Sequence, residues 1–215
     1  MYNYKGWNFP SIDSHFSPYV EEFPITTYQQ LSIDIACQFV KKFETVVDVG
    51  ANLGLHSVRF SKLFKEVHSF EPSATNFECL TLNTINLKNI KLYNVGLGGN
   101  TTTESLSIPS DSKNCGLYSI KDFKNFEGSL ITETINIFLL DEYNISPDLI
   151  KIDTQGFELE ILNGSINTLK KYSPVLIIEI EKKEEFKLIS NFLLDLNYTL
   201  ADSVKKDKIW IRNNV

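Results

Sequence analysis

The run Val46-Val47-Asp48-Val49-Gly50-Ala51-Asn52-Leu53-Gly54 constrains this chain more than any other stretch. A short β-branched segment ends in an acid and a glycine, and a second glycine opens an apolar helical pattern. Such a segment, residues 45–49, reads as a buried strand. The glycines let the backbone turn tightly out of it. The pattern then repeats. A helix is predicted over 53–64, with Leu55, Val58, Phe60 and Leu63 facing inward, then a strand over 66–70. A helix over 72–87 follows, with Pro72 in its first turn, then a strand over 90–95. Alternation at this spacing predicts βαβ units and a largely parallel sheet.

The flanks are read with the same periodicities. Residues 28–43 carry a helical stripe of Leu31, Ile33, Ile35, Ala36, Phe39 and Val40. Residues 1–27 form an extended lead-in, aromatic and rich in Ser and Pro, and 28–215 form a single domain. Residues 100–128 break the rhythm with Ser, Thr, Asn, Gly and Pro109, leaving a short strand at 104–108. Strands are then predicted over 132–138, 148–152 and 174–179. Helices follow at 158–171 and 183–196, and a strand at 208–211 closes the chain. The class is α/β, a three-layer sandwich with helices on both faces of a mostly parallel sheet and an antiparallel closing strand.

Bulk properties bound the function. A chain of 215 residues holds one well-buried α/β domain. Its net charge of −6 argues against sequence-independent nucleic-acid binding, which needs a basic face. Cys37, Cys79 and Cys115 are odd in number and lack metal-ligand spacing, which points to a reducing cytoplasm. No secretory h-region and no membrane-length apolar run is visible. His15 and His68 have no sequence partners for a metal site, and no metal is expected. His56 is read as structural or solvated. Trp7, Phe9, Phe16 and Tyr19 form either a lid or an arm packed on the domain.

Three strand ends carry residues suited to a nucleoside ligand, which such sheets bind at their carboxyl edge. In the first, Gly50 permits close backbone approach and Gly54 opens the helix. Asp48 either approaches the cationic end of a ligand or holds the loop through its amides. Asn52 stands where a dinucleotide site carries its second glycine, which disfavours a pyrophosphate. In the second, Glu71, followed by Pro72, is placed to accept both ribose hydroxyls. In the third, Lys151-Ile152-Asp153-Thr154-Gln155-Gly156-Phe157-Glu158, Asp153 points into the same crevice. Asp153 and Glu158 act there in chemistry, or they cap the helix and its positive end.

Together these motifs resemble the FkbM family of S-adenosylmethionine-dependent methyltransferases, from about residue 28 to 181. Val46 to Gly54 resembles the cofactor loop, with Ala51 and Asn52 inside it, and Phe70-Glu71-Pro72 the ribose-binding strand end. Asn94-Val95-Gly96-Leu97-Gly98 is similar to the stretch near the adenine. Leu140-Asp141-Glu142-Tyr143, the Lys151–Glu158 block, Leu162-Asn163-Gly164 and Ile177-Ile178-Glu179 resemble the family's distinctive core. Gln155 departs from the Glu that many members carry. Asn114 to Ser119 loosely resembles a segment that closes over the cofactor.

The resemblance implies a Rossmann-like fold, S-adenosyl-L-methionine as cofactor, and methyl transfer to a hydroxyl of a carbohydrate or small metabolite. Asp153 is the first candidate general base and Glu158 the second, with Glu179 an outsider. Residues 1–27 and 100–130 are expected to face the acceptor. The rival readings are a nicotinamide-dependent oxidoreductase and a non-catalytic cofactor-binding or interaction domain.

Overall fold

A computed structural model describes residues 1–18, 28–109, 113–120 and 129–213. The central sheet grows from the expected βαβ core. β3 (Thr45–Val49), β4 (Glu66–Phe70) and β5 (Ile90–Tyr93) pair in parallel, linked by α2 (Leu55–Phe60) and α3 (Ala74–Thr84). β9 (Leu149–Ile152) and β10 (Val175–Glu179) extend it in parallel on the other side of β3. β11 (Tyr198–Val204) and β12 (Asp207–Arg212) complete the seven-stranded order β11-β12-β10-β9-β3-β4-β5. β12 runs antiparallel to β10, as the closing strand was expected to.

Strand alternation divides the core. Val46, Val67, Leu149, Val175 and Ile177 pack with α1 (Gln30–Cys37), with Phe60 at the end of α2 and with Phe64 beyond it. Val47, Val49, Phe70, Ile150, Ile152 and Leu176 face α4 (Glu158–Asn163), α5 (Ile166–Tyr172) and α6 (Lys183–Asp195). This period of two puts helices on both faces of one sheet. No helix among the described residues is long and apolar enough to cross a membrane.

Several boundaries differ from expectation for local reasons. The predicted helix over 158–171 is two helices. An ideal side chain at Gly164 would meet the Gly98 carbonyl oxygen at 1.9 Å, so the chain breaks there to let two backbones touch. Asp141 then starts α5, accepting from the amides of Asn167 (2.9 Å) and Thr168 (2.8 Å). Pro72 lies before α3, not in its first turn, because the Asn94 side-chain amide holds the Glu71 and Pro72 carbonyls outside the helix. In the Leu31 stripe, Leu31 itself is exposed, and the helix expected over 53–64 ends at Phe60, leaving Leu63 exposed beyond it.

The ends of the chain carry more structure than expected. β1 (Tyr2–Tyr4) and β2 (Trp7–Phe9) form a hairpin whose turn residues Lys5 and Gly6 both have positive φ. Asn83 of α3 bonds the Asn8 amide (2.7 Å) and anchors the hairpin. Phe9 and Phe16 pack against Leu53, Leu55, Cys79 and Cys115, so this is a packed arm; Tyr19 lies outside the described residues. The excursion after residue 100 contains a full strand, β7 (Thr102–Pro109), antiparallel to β8 (Leu130–Phe138). With β6 (Gly96–Leu97) they form a three-stranded sheet ordered β6-β8-β7.

Candidate functional site

The loop between β3 and α2 is folded around its own amides. The Gly50 and Ala51 N–H groups both donate to the Phe70 carbonyl at 3.0 Å, and the Gly54 N–H donates to Ala51. Asn52 adopts a left-handed conformation (φ 51°), which asparagine tolerates, and its N–H donates to Glu71 Oε2 at 2.8 Å. These four amides are therefore taken, leaving none of them to cradle a pyrophosphate. Gly50 has a φ of 77°, and a Cβ there would lie 1.9 Å from the Asp153 carbonyl oxygen. The loop and the end of β9 thus touch backbone to backbone.

Glu71 is 5% exposed and directly follows β4. Its Oε1 accepts the Ser73 N–H (3.0 Å) while Oε2 accepts Asn52. Burial pushes its carboxyl up to about 7, against the pull of these two amides. Glu71, Pro72, Asn76, Val95, Gly96 and Phe157 are among the residues lining a cleft at the carboxyl edge of the sheet. Asn76 Oδ1 is buried beside this pocket with no hydrogen-bond partner among the described residues. A ligand hydroxyl or amine would satisfy it.

A polar row crosses the sheet beneath the strand ends. Register aligns Ser69 of β4, Asp48 of β3 and Lys151 of β9. Ser57 Oγ donates to Asp48 Oδ2 at 2.6 Å and accepts from Ser69 at 2.8 Å. Lys151 is 2% exposed and donates to Asp153 Oδ2 at 3.0 Å. Burial alone would lower its pKa, but Asp153, Asp48 and Asp207 outweigh that and hold the ammonium charged.

One layer higher, Asp153 meets Glu179 at the end of β10. Gln155, itself left-handed (φ 56°), bridges them: its Nε2 lies 3.4 Å from Asp153 Oδ1 and 3.2 Å from Glu179 Oε2. Burial works against the Asp153 charge, yet Lys151 and a hydrogen bond with Glu179 bring its pKa down to about 2. Burial and the neighbouring Asp153 charge push Glu179 up to about 8. The two acids thus hold one proton between them near neutrality.

Asp153 and Gln155 also border a second pocket of about 870 Å³. Its wall includes His15, Phe16, Tyr28, Glu179, Glu181 and Lys206. Gly50, Asn52 and Gly116 are shared by both pockets. Cys115 leans over the loop, its carbonyl accepting from Asn52 Nδ2 (3.3 Å) and Asn76 Nδ2 (3.1 Å). Segments 1–18 and 113–120 therefore both reach the site.

The expected residues separate on inspection. Gly50, Asn52, Glu71, Pro72, Gly96 and Asp153 line the first pocket, and Ala51 lines the second. Asp48 lines neither. It is fully buried, and its Oδ2 ties β3 to α2 through Ser57. Gly54 is buried against Leu80, where a Cβ would meet a side-chain carbon at 2.8 Å. Glu158 is 2% exposed and folds back, its Oε1 accepting the Thr154 (3.0 Å) and Gly156 (3.1 Å) amides. That geometry makes it a clamp for the Thr154–Gly156 turn, and it lines neither pocket. His56 is buried against Gln29 (2.9 Å), and burial holds it neutral. Sequence reading passed over Lys151 and Asn76; placing Lys151 inward needed only the period-two alternation of Leu149 to Ile152.

Comparisons with known proteins agree with this geometry. Residues 48–200, most of the chain, match the methyltransferase FkbM domain. Hexuronic acid methyltransferase AglP of Haloferax volcanii is 27% identical over 177 residues, 80% of this chain and 72% of AglP. Methyltransferase FkbM from Methylobacillus flagellatus superposes with a TM-score of 0.55 at 20% identity, over 78% of this chain and 43% of that one. This chain therefore spans less than half the length of that structure. SMU.1697c from Streptococcus mutans, solved in complex with SAH, gives a TM-score of 0.52 at 16% identity, covering 85% of this chain and 94% of the other. The structural likenesses establish the Rossmann-like fold, and the domain match establishes that this chain belongs to the FkbM family of methyltransferases.

Proposed function

We propose that this chain transfers the methyl group of S-adenosylmethionine to a hydroxyl oxygen of a carbohydrate, in the reducing cytoplasm where its free thiols persist. The observation that carries the reading is the shared wall: Asp153 and Gln155 stand between the cleft lined by Glu71 and Asn76 and a second, polar pocket. The hexuronic acid acceptor in the name of the Haloferax relative supports a sugar.

The residues fit the donor. Glu71 offers remaining lone pairs to ribose hydroxyls, and Asn76 Oδ1 offers an unmet acceptor. Val95, Leu97 and Phe157 supply an apolar wall for a base. The donor brings an activated methyl group on a sulfonium, so the chain's task is alignment and proton removal. The Asp153–Glu179 pair performs the latter. Glu179, once ionised, accepts the acceptor's hydroxyl proton, while Lys151 keeps Asp153 charged and Gln155 holds both carboxyls in place.

The nicotinamide alternative fits less well, because the loop amides a pyrophosphate needs are already bonded. The test is transfer of labelled methyl from S-adenosylmethionine to a panel of glycosides. Wild-type turnover with a loss of about 10²–10⁴-fold in Glu179→Gln supports the base assignment. Full turnover in that variant removes it. Cofactor binding without transfer to any acceptor would favour a non-catalytic domain.

A further inference from the structure

We infer that the acceptor is an uncharged polyol and that the second pocket discriminates against a sugar bearing a carboxylate. This rests on the methyltransferase reading above and departs from the hexuronic acid named for the Haloferax relative.

Among the described residues, that pocket presents three carboxyl side chains, Asp153, Glu179 and Glu181, one ammonium, Lys206, and the imidazoles of His15 and His56. That ammonium already has a carboxylate beside it, since Lys206 Nζ is ion-paired with Glu181 Oε1, both side chains being about half exposed. The cation behind the wall, Lys151, is committed to Asp153 at 3.0 Å and lies beside Asp48 in the sheet. His56, also in the wall, is bonded to Gln29 and buried. A carboxylate entering here would have to draw Lys206 away from Glu181. It would leave Glu181 unpaired beside it. Like charges brought together in this way are a common device for rejecting a wrong partner.

The same wall suits hydroxyl groups. Gln155, Glu179 and Asp153 place an amide and two carboxyls side by side, a set that can both donate to and accept from neighbouring hydroxyls. Phe16 and Tyr28 meet edge to face at 5.6 Å and give the pocket an apolar flank for the C–H face of a ring.

The experiment uses the full chain and matched pairs of methyl hexosides and methyl hexuronosides that differ only at the terminal carbon. Labelled-methyl transfer gives kcat/KM, and ligand-observed NMR with saturating S-adenosylhomocysteine gives binding. The neutral member of each reacting pair is expected to lead by about tenfold or more. Glu181→Gln, which releases Lys206, is expected to narrow that gap, and Lys206→Gln to leave the neutral sugar's preference in place. A hexuronoside that reacts better than its neutral partner, with the advantage lost in Lys206→Gln, overturns the inference while leaving the methyltransferase reading intact. If no glycoside binds while S-adenosylmethionine still stabilises the protein against heat, the carbohydrate reading falls and takes this inference with it.

Discussion

At Gly50 the backbones of two strand ends meet with no room for a methyl group. Gly50→Ala combines that collision with a left-handed φ, which costs a non-glycine residue about 1–2 kcal/mol by itself. Its urea-unfolding free energy should fall by at least about 2 kcal/mol, and an unchanged midpoint would show that the strand ends can part. Glu71 makes a pH prediction. With a carboxyl near 7, it is protonated and a weaker acceptor below that pH, and ionised above it. Donor affinity should therefore rise between pH 6 and 8 in calorimetric titrations. Glu71→Gln should flatten that rise and weaken binding by about 10–100-fold. Gln155 makes a third. Wild-type kcat should climb with pH through about 8 as Glu179 loses its proton. Gln155→Glu adds another carboxylate to the pair and should push that climb to higher pH, whereas loss of an amide bridge alone would lower kcat without moving it.

Among the elements, those defined by composition were legible and those defined by contact were not. The strands over 45–49 and 66–70 match the β-branched and apolar runs residue for residue, because buried parallel strands carry their signal locally. The break between α4 and α5 depends on Gly98, far away in sequence, so periodicity alone joined the two helices. β11 was missed because its residues alternate weakly and include Asp202 and Ser203; only pairing with β12 makes it a strand. Asp48 shows the same limit at the site. A carboxylate ending a strand in a glycine loop reads as a ligand contact, but the partner that claims it, Ser57, comes from the following helix. The cap on α5 tests this view. Asp141→Ala should cost about 1–2 kcal/mol in denaturant unfolding while leaving donor affinity unchanged. A large loss of donor affinity would mean that α5 helps shape the site.

For the whole molecule, the central sheet supplies rigid strand ends, and the parts grafted around it supply the second pocket. The arm brings Phe16 and His15, the segment after β7 brings Asn114 and Gly116, and the β11–β12 hairpin brings Lys206. The division follows from physics. A donor common to many reactions can be met by fixed backbone and a few strand-end side chains, whereas an acceptor is met by loops that vary without disturbing the core. The first is why the Asp48–Gly54 run and Glu71 could be found in sequence. The second is why the charge balance around Asp153, Glu179, Glu181 and Lys206 emerged only in three dimensions. All of this depends on the donor pocket holding what its walls fit. The direct measurement is isothermal titration of the full chain with S-adenosylmethionine, S-adenosylhomocysteine and NAD. Saturable one-to-one binding of the two sulfur nucleosides, with none of NAD, is the expected result. Binding of NAD alone would contradict the account at its foundation.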